Sequence, residues 1–260
     1  MRSNACLPRI FSIKSMKVWT KIENKIRAFF KKRGYTCNAC GKEIFDAPLR
    51  RICDECQAKF QRAKRVCEKC GRATRADGIC LTCKSHLPIF LKGFSPFVYK
   101  GEMASLVNRL KNGNRRLAFF LGEEMAKTLI NELPDGNLLL VPVPLTNARL
   151  QERGYNQAIE LAYAVYDYLQ TIGYNAELCL TALEKRKDVE GQKYLGFTDR
   201  AKNAFGAYHL HERKIFSQQT VVVIDDILTT GATGSECARL LYGANAKNVY
   251  LLTASALPEQ

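Results

Sequence analysis

Two neighbouring carboxylates, Asp225 and Asp226, end a run of apolar residues and precede a short loop rich in threonine and glycine. The apolar run predicts a strand buried on both faces, and a helix-forming segment follows the loop. The backbone N–H groups of such a loop, together with the dipole of the helix, favour a phosphate group. Carboxylates beside a phosphate would repel it unless they hold sugar hydroxyls or a hydrated Mg²⁺. The pattern therefore predicts a site for a ribose that carries a 5-phosphate.

Cysteines form a second chemical pattern, because eight of the 11 lie in four Cys-x-x-Cys pairs. The pairs are Cys37/Cys40, Cys53/Cys56, Cys67/Cys70 and Cys80/Cys83. Two thiolates at this spacing suit a tetrahedral zinc ion, and four such ligands make the zinc structural, with no open position for water. Sequential pairing predicts one ion for the first two pairs and one for the last two. Interleaved pairing and a single occupied site are alternatives.

The elements that must position these residues follow from the hydrophobic pattern. Strands are predicted at 93–100, 138–143, 174–180, 220–224 and 248–253, and helices at 102–112, 116–133, 147–171 and 232–242. Strands separated by helices predict an α/β fold with a mostly parallel sheet, whose ligands bind at the carboxyl ends of the strands. A hydrophobic fraction of 47% and a charged fraction of 25% exclude wholesale disorder.

Residues 221–234 resemble the phosphoribosyl pyrophosphate (PRPP) motif of type I phosphoribosyltransferases. Further motifs resemble the ComF/ComFC-type competence proteins: Val141 to Leu145, Arg149, residues 152–157, Gln192, Arg200, Asn203 and Phe205. These proteins join a cysteine-rich zinc module to a phosphoribosyltransferase domain and take part in DNA uptake during natural transformation. The resemblance covers residues 37–256.

The resemblance implies that Asp225 and Asp226 contact the ribose hydroxyls. It also implies that the 5-phosphate is bound by Thr229, Thr230, Gly231, Ala232 and Thr233. The implied ligand is PRPP with Mg²⁺, inside a type I phosphoribosyltransferase-like sheet.

Other residues are candidates for the pyrophosphate and for a lid. A loop of Pro144, Leu145 and Thr146 follows a buried strand, where a pyrophosphate would bind. Arg149 and Arg153 offer bidentate phosphate contacts, although an exposed helix charge is the alternative for Arg149. Residues 184–203 form a long polar connection, which predicts a lid that carries Gln192 and Arg200. The candidate catalytic residues are Asp225, Asp226, Arg149 and Arg153.

The charge is concentrated in the N-terminal part. Residues 1–100 carry 23 Lys and Arg against 7 Asp and Glu, whereas the remainder carries 17 against 18. Such an excess predicts a polyanion as partner, with a solubilising basic tail as the alternative. Aromatic residues interleave with these cations, as in proteins that stack single-stranded DNA: Trp19, Phe29, Phe30, Tyr35 and Phe60.

Residues 14–33 have the spacing of a basic amphipathic helix. It would dock on the zinc module, on a partner or on a membrane surface. No apolar run is long enough to span a membrane, and the first twenty residues lack the core of a secretory signal, so a cytoplasmic protein is expected.

Three regions are therefore predicted: a basic extension at 1–36, a double zinc-ribbon module at 37–90 and a phosphoribosyltransferase-like domain at 91–260. The first functional hypothesis is a competence protein that holds single-stranded DNA beside a helicase-like partner and binds PRPP. The second is an active phosphoribosyltransferase of nucleotide metabolism or salvage, with a structural zinc module. A PRPP-sensing regulator of DNA binding is the third. The sequence identifies no pocket for an acceptor, so turnover stays open.

Overall fold

A computed structural model describes residues 36–44, 51–133, 136–186 and 205–259. The predicted helix at 14–33 lies outside these ranges, as do the lid candidates Gln192 and Arg200.

The core of the molecule is a six-stranded sheet in which every pair of neighbouring strands is parallel. Its strands are β1 (Gly93–Phe94), β2 (Phe97–Val98), β3 (Leu138–Pro142), β4 (Ala176–Leu178), β7 (Thr220–Leu228) and β8 (Asn248–Ala256). The strand order is β1-β8-β7-β3-β4, and β2 pairs with β8 beyond the end of β1. A separate antiparallel pair consists of β5 (Leu183–Lys185) and β6 (Tyr208–Leu210).

Helices cover both faces of the sheet. They are α1 (Asp54–Ala58), α2 (Leu81–Ser85), α3 (Gly101–Lys111), α4 (Leu117–Glu132), α5 (Asn147–Arg153), α6 (Gln157–Thr171) and α7 (Ala232–Tyr242). Alternate residues of a strand point to opposite faces, so β7 sends Val222 and Ile224 into the core under α3, α4 and α6. Val221 and Val223 enter the core under α7. The predicted α/β class with a parallel sheet is confirmed.

Apart from shifts of up to three residues at element ends, such as β8 continuing to Ala256, three predicted elements differ from the structure. The strand expected at 93–100 is two short strands, β1 and β2. The helix expected at 147–171 is interrupted by Gly154, whose φ of 74° is left-handed, and restarts at Asn156, whose side chain accepts a hydrogen bond from the Ala158 N–H.

The third difference concerns the central strand, because β7 continues to Leu228 rather than ending at residue 224. Pairing with β8 extends to Leu228↔Ala256, so Asp225 and Asp226 lie within the strand. Both carboxylates are therefore held by sheet geometry and not by a loop.

The two cysteine groups pack against opposite faces of the sheet. Cys37 and Cys53 join the core under α3, α4 and α6, whereas Cys67, Cys70 and Cys83 join the core under α7. The knuckles have the same local structure, because Gly41 and Gly71 each donate an N–H to the carbonyl of the first cysteine of the pair. In the described part of the chain, no helix has both the length and the apolar composition that crossing a bilayer requires.

Candidate functional site

The acidic pair lies near the carboxyl end of the central strand, with its side chains on opposite faces. Asp226 is buried on the side of α3, and the ammonium of Lys111, the last residue of α3, lies 3.0 Å from its Oδ2. Asp225 points to the side of α7, and its Oδ1 accepts the N–H of Asp226 at 2.8 Å. Lys111 supplies the positive charge that a buried carboxylate requires, although Oδ2 lies outside hydrogen-bond geometry.

The electrostatics of the pair differ from those of ordinary surface carboxylates. Burial, followed by the adjacent charge of Asp226, raises the pKa of Asp225 well above its usual value. The N–H of Asp226 and the ammonium of Lys111 oppose this rise only in part. A cation or further hydrogen-bond donors that enter the site would lower this pKa and favour the carboxylate.

The loop after β7 forms the candidate phosphate cradle. Residues 229–231 lead directly into α7, and Gly231 has a φ of 84°, a left-handed conformation that favours glycine. The N–H of Ala232 donates to the Thr230 hydroxyl at 3.3 Å. A Cβ at Gly234 would lie 2.7 Å from Leu251 Cδ2, so glycine lets the first turn of α7 lie close to the sheet. The N-terminal N–H groups and the dipole of α7 thus face the same edge of the sheet as the acidic pair.

The loop after β3 adjoins the acidic pair, because β3 pairs with β7 up to Pro142↔Ile224 and Val143 donates its N–H to the Ile224 carbonyl at 2.9 Å. Pro144, Leu145 and Thr146 follow at once. The Thr146 side chain caps α5 by accepting the N–H of Arg149. The sheet therefore places the predicted pyrophosphate loop next to the acidic pair.

The two candidate arginines occupy different environments. Arg149 lies on α5, and its side chain is exposed to solvent. Arg153 is half-buried, and its Nη1 donates to the Gln157 side chain at 3.0 Å. Their predicted contacts with pyrophosphate stay predictions.

The residues after Arg153 hold neighbouring elements together. Tyr155 is buried, its hydroxyl donates to the Leu110 carbonyl, and the N–H of Gly113 donates to the same hydroxyl at 3.1 Å. Asn156 donates its side-chain amide to the Val143 carbonyl at 2.9 Å. Tyr155 therefore fixes the end of α3, where Lys111 lies. Sequence reasoning missed Lys111, because a basic residue in the last turn of a helix is ordinarily a partner of the helix dipole.

The connection that contains Gln192 and Arg200 joins β5 to β6, and both strands lie near α7. Its ends meet in the antiparallel pair, where Lys185 lies opposite Tyr208. On the C-terminal side, the N–H of Gly206 donates to the buried carboxylate of Glu236 at 2.8 Å. Burial, followed by the charges of Cys237 and Asp225, raises the pKa of Tyr208, whose side chain hydrogen-bonds to Thr233. Tyr208 and Glu236, both missed from the sequence, link this connection to the phosphate loop.

The cysteine groups fit structural zinc. In each sequential group the four sulfur atoms lie within 4.8 Å of one another. Cys40 and Cys53 sulfurs are 3.8 Å apart, as are those of Cys70 and Cys80. A tetrahedron with Zn–S bonds of about 2.3 Å has sulfur–sulfur edges of about 3.8 Å. The structure thus supports the sequential pairing, and the residues of both groups can hold a zinc ion.

Comparison with known proteins agrees with the motifs. The chain is 25% identical over 205 residues to Competence protein ComFC of Bacillus subtilis, covering 75% of this chain and 79% of that protein. It is 27% identical to Competence protein F of Haemophilus influenzae, covering 79% and 83% of the two chains. It is 28% identical to DNA utilization protein YhgH of Escherichia coli K12, covering 77% and 89%.

A solved structure with a local likeness is a hypoxanthine phosphoribosyltransferase of Staphylococcus aureus, at 13% identity. The match covers 55% of this chain and 74% of that one with a TM-score of 0.34, which is too low to establish a common fold. No protein-family profile matches the chain. Over about three quarters of its length, the chain is similar to the ComF/ComFC-type proteins, as its motifs predicted.

Proposed function

We propose that this chain is a ComF-type competence protein that binds PRPP with Mg²⁺ and handles single-stranded DNA during DNA uptake. One observation carries the ligand assignment: the carboxylates of Asp225 and Asp226 and the N-terminus of α7 lie at the same edge of the sheet, with five residues between Asp226 and the helix. A phosphorylated pentose with vicinal hydroxyls needs both features at this spacing.

Each part of the site has a separate task in this proposal. Loop residues 229–233 would bind the 5-phosphate through N–H groups and hydroxyls, and Asp225 would accept hydrogen bonds from the ribose hydroxyls. Asp226, which is paired with Lys111, would contribute its carboxylate to the ribose site from near the carboxyl end of β7. Residues 144–146, Arg149 and Arg153 would face the pyrophosphate, with Gln192 and Arg200 closing over it. Mg²⁺ would supply the charge that two adjacent phosphates require.

Calorimetry tests the ligand assignment. PRPP–Mg²⁺ is titrated into the full chain, into the D225N/D226N variant and into D77N, a control whose exposed carboxylate contacts Arg65 in the second cysteine module. We expect the wild type and D77N to bind with equal affinity and the double variant to bind at least about tenfold more weakly. Absence of heat in the wild type, or equal affinity in all three proteins, contradicts the proposal.

The DNA assignment rests on charge and on the names of the relatives. Residues 1–100 hold the whole positive excess of the chain. Two similar proteins are named competence proteins, and a third is named a DNA utilization protein. Phe60 does not contribute to stacking as the sequence suggested, because it is buried between Phe97 and Phe120. A helicase-like partner and cytoplasmic location, where thiolates stay reduced for zinc, belong to the same proposal.

Fluorescence anisotropy with a labelled single-stranded oligonucleotide tests this assignment. We expect affinity to fall steeply as salt rises, because Lys and Arg release counterions from the phosphates. A duplex of the same sequence is the comparison. A salt-independent affinity, or none for the single strand, contradicts the assignment.

An active phosphoribosyltransferase of nucleotide metabolism is the second candidate, and one observation favours it. A cavity of about 250 Å³ adjoins the phosphate loop at Thr230 and Gly231, and Phe205 is among the residues that line it. The Phe205 ring lies over the Arg239 guanidinium and is 69% exposed, so it offers a surface on which a base can stack.

Turnover separates the two candidates. Pyrophosphate release from PRPP is measured with a panel of bases in the wild type, in F205A and in D225N/D226N. An enzyme releases pyrophosphate with at least one base, and more slowly in F205A. If no base exceeds the double variant, the enzyme hypothesis fails. DNA titrations with and without PRPP–Mg²⁺ then test the PRPP-sensing alternative.

A further inference from the structure

One buried side chain, Arg72, joins the second cysteine group to the phosphate loop. It follows Cys70 and Gly71 in the second knuckle and is 5% exposed. Its Nε donates to the Cys70 sulfur at 3.3 Å, and its Nη2 donates to the Thr229 carbonyl at 2.5 Å. Its Nη1 lies 3.4 Å from the Thr82 hydroxyl in the same module. Thr229 is the first residue of the candidate phosphate cradle, so one planar group contacts both sites.

The position of this guanidinium depends on the charge of the sulfur atoms. A buried cation is costly unless it is paired, and no carboxylate among the described residues forms a salt bridge with Arg72, although the more distant charge of Glu259 also acts on it. Four thiolates around one Zn²⁺ carry a net charge of about −2, which provides the missing partner. The rigid fork of Arg can contact the sulfur and the carbonyl at once, which a Lys ammonium cannot do with the same geometry.

The second knuckle is also fixed in place on the sheet. Gly93 in β1 donates its N–H to the Lys69 carbonyl at 2.9 Å. A Cβ at Gly71 would lie 2.3 Å from the Gly93 carbonyl oxygen, so the two backbones are in direct contact. A change in the geometry at Cys70 is therefore transmitted through Arg72 rather than absorbed by a shift of the whole knuckle.

The first knuckle provides an internal comparison. The residue that corresponds to Arg72 is Lys42, whose N–H donates to the Cys40 sulfur at 3.4 Å. Its ammonium contacts Glu55 at 2.5 Å within the same module, at the surface. The link from sulfur to phosphate loop is thus specific to the second cysteine group and is not a general property of the knuckle.

We propose that Arg72 is a positioning residue that couples metal in the second cysteine group to the phosphate loop, so that the metal and the phosphorylated pentose strengthen each other's binding. The coupling rests on the proposed PRPP site, whereas the positioning of Thr229 by Arg72 does not. Because coupling between two sites is reciprocal, PRPP must raise the affinity of the second metal by the factor by which that metal raises PRPP affinity, and slower release of the metal is its expected kinetic sign.

The first experiment looks for this coupling in the zinc-loaded full chain. Zinc transfer to a chromophoric chelator is followed with and without saturating PRPP–Mg²⁺ in the wild type, R72K, R72M and E259A. Glu259 is the matched control, because its carboxylate also ties this module to the C-terminus, by accepting the N–H groups of Leu81 and Arg75, but does not reach the loop. We expect PRPP to slow release of one of the two zinc ions at least about fivefold in the wild type and in E259A. R72K and R72M lose this effect.

The second experiment identifies the ion, and its comparison of variants does not depend on PRPP. The protein is loaded with ¹¹³Cd, and its cadmium resonances are recorded together with the amide resonances of Thr230 and Gly231. We expect R72K to shift one cadmium resonance and both amides, whereas E259A leaves the amides in place. In the wild type, PRPP–Mg²⁺ shifts the same cadmium resonance. R72K retains the positive charge of residue 72, so the experiment can be done with R72K alone if R72M does not fold.

The outcomes separate the two proposals. Unchanged loop amides in R72K overturn the positioning role, whatever PRPP does. Equal PRPP protection of zinc in the wild type and in R72K overturns the coupling, although the PRPP site stands. If R72K shifts the loop amides but the wild type binds no PRPP, the positioning role of Arg72 stands. The proposed function and the coupling then fail together.

Discussion

The contact between the second knuckle and the sheet can be dissected with three glycine-to-alanine substitutions. Gly41 and Gly71 occupy equivalent positions in the two knuckles, with φ values of 78° and 74°. A Cβ at Gly41 would meet nothing within 4 Å, whereas one at Gly71 would lie 2.3 Å from the Gly93 carbonyl oxygen. A Cβ at Gly93, which has no left-handed φ, would lie 2.6 Å from the Cys70 carbonyl oxygen. G41A thus tests the backbone strain alone, G93A the contact alone, and G71A both.

The expected magnitudes follow from these geometries. The left-handed conformation costs alanine about 1–2 kcal/mol, so G41A should lower the free energy of unfolding by that amount. Overpacking costs about 1–3 kcal/mol and more where the obstacle is backbone, as it is for G93A. G71A should lose about 2–5 kcal/mol, the combination of both costs. G71A/G93A should be less destabilised than the sum of the single variants, because both substitutions break one contact.

Urea unfolding of the zinc-loaded protein, followed by circular dichroism, measures these differences, with zinc content checked for each variant. The reasoning is refuted if G71A and G41A lower the free energy of unfolding equally, within about 0.5 kcal/mol. A difference that small is typical of substitutions that break no contact. It is also refuted if G93A is neutral, because the backbone of β1 would then not be in contact with the knuckle.

Three further predictions concern the site and the metals. Burial and the charge of Asp226 raise the pKa of Asp225, so the folded protein holds that proton to higher pH than the unfolded chain, whose Asp pKa is about 4. Between about pH 4 and about pH 8, the folded-state pKa, the wild type should lose stability relative to D225N by up to about 1.4 kcal/mol per pH unit, and a pH-independent difference between their urea midpoints argues against the raised pKa. Y155F removes the hydroxyl that contacts Leu110 and Gly113 and should cost about 1–2 kcal/mol. It should also weaken PRPP binding in calorimetry through Lys111, whereas Y174F, which loses a bond to the Leu133 carbonyl far from the site, should not. Zinc chelation should lower the thermal midpoint of the whole chain, because each cysteine group is part of a core under the sheet; unfolding of residues 37–83 alone, seen by hydrogen exchange, would contradict this.

The sequence predicted the features that local patterns determine. The bounds of α7, at Ala232–Tyr242, agree with the helix expected after the threonine-glycine loop, and both buried central strands were expected. The cysteine spacing predicted the sequential groups. The contacts between distant parts of the chain were not predictable. Lys111, for example, is 115 residues from Asp226, and no local sequence pattern indicates that the two side chains form an ion pair. The extension of β7 beyond Ile224 likewise depends on pairing with β8, and carboxylates alone are typical of a loop.

The placement of the cysteine groups provides a physical route for the proposed coupling between a metal module and the candidate PRPP site. Phe60, between the two groups, packs on Phe97 and Phe120, and the Val98 N–H donates to the Gln61 carbonyl at 2.8 Å, so the chain passes along the β2 edge from one face of the sheet to the other. The buried sulfur atoms consequently close the cores on both faces, whereas a tethered module would close neither. The first group contacts the end of α3 through Arg109, two residues from Lys111, and the second contacts the loop before α7 through Arg72. The second cysteine group therefore reaches the phosphate half of the candidate PRPP site through one side chain, whereas the first reaches the acidic half only through Arg109, the end of α3 and Lys111.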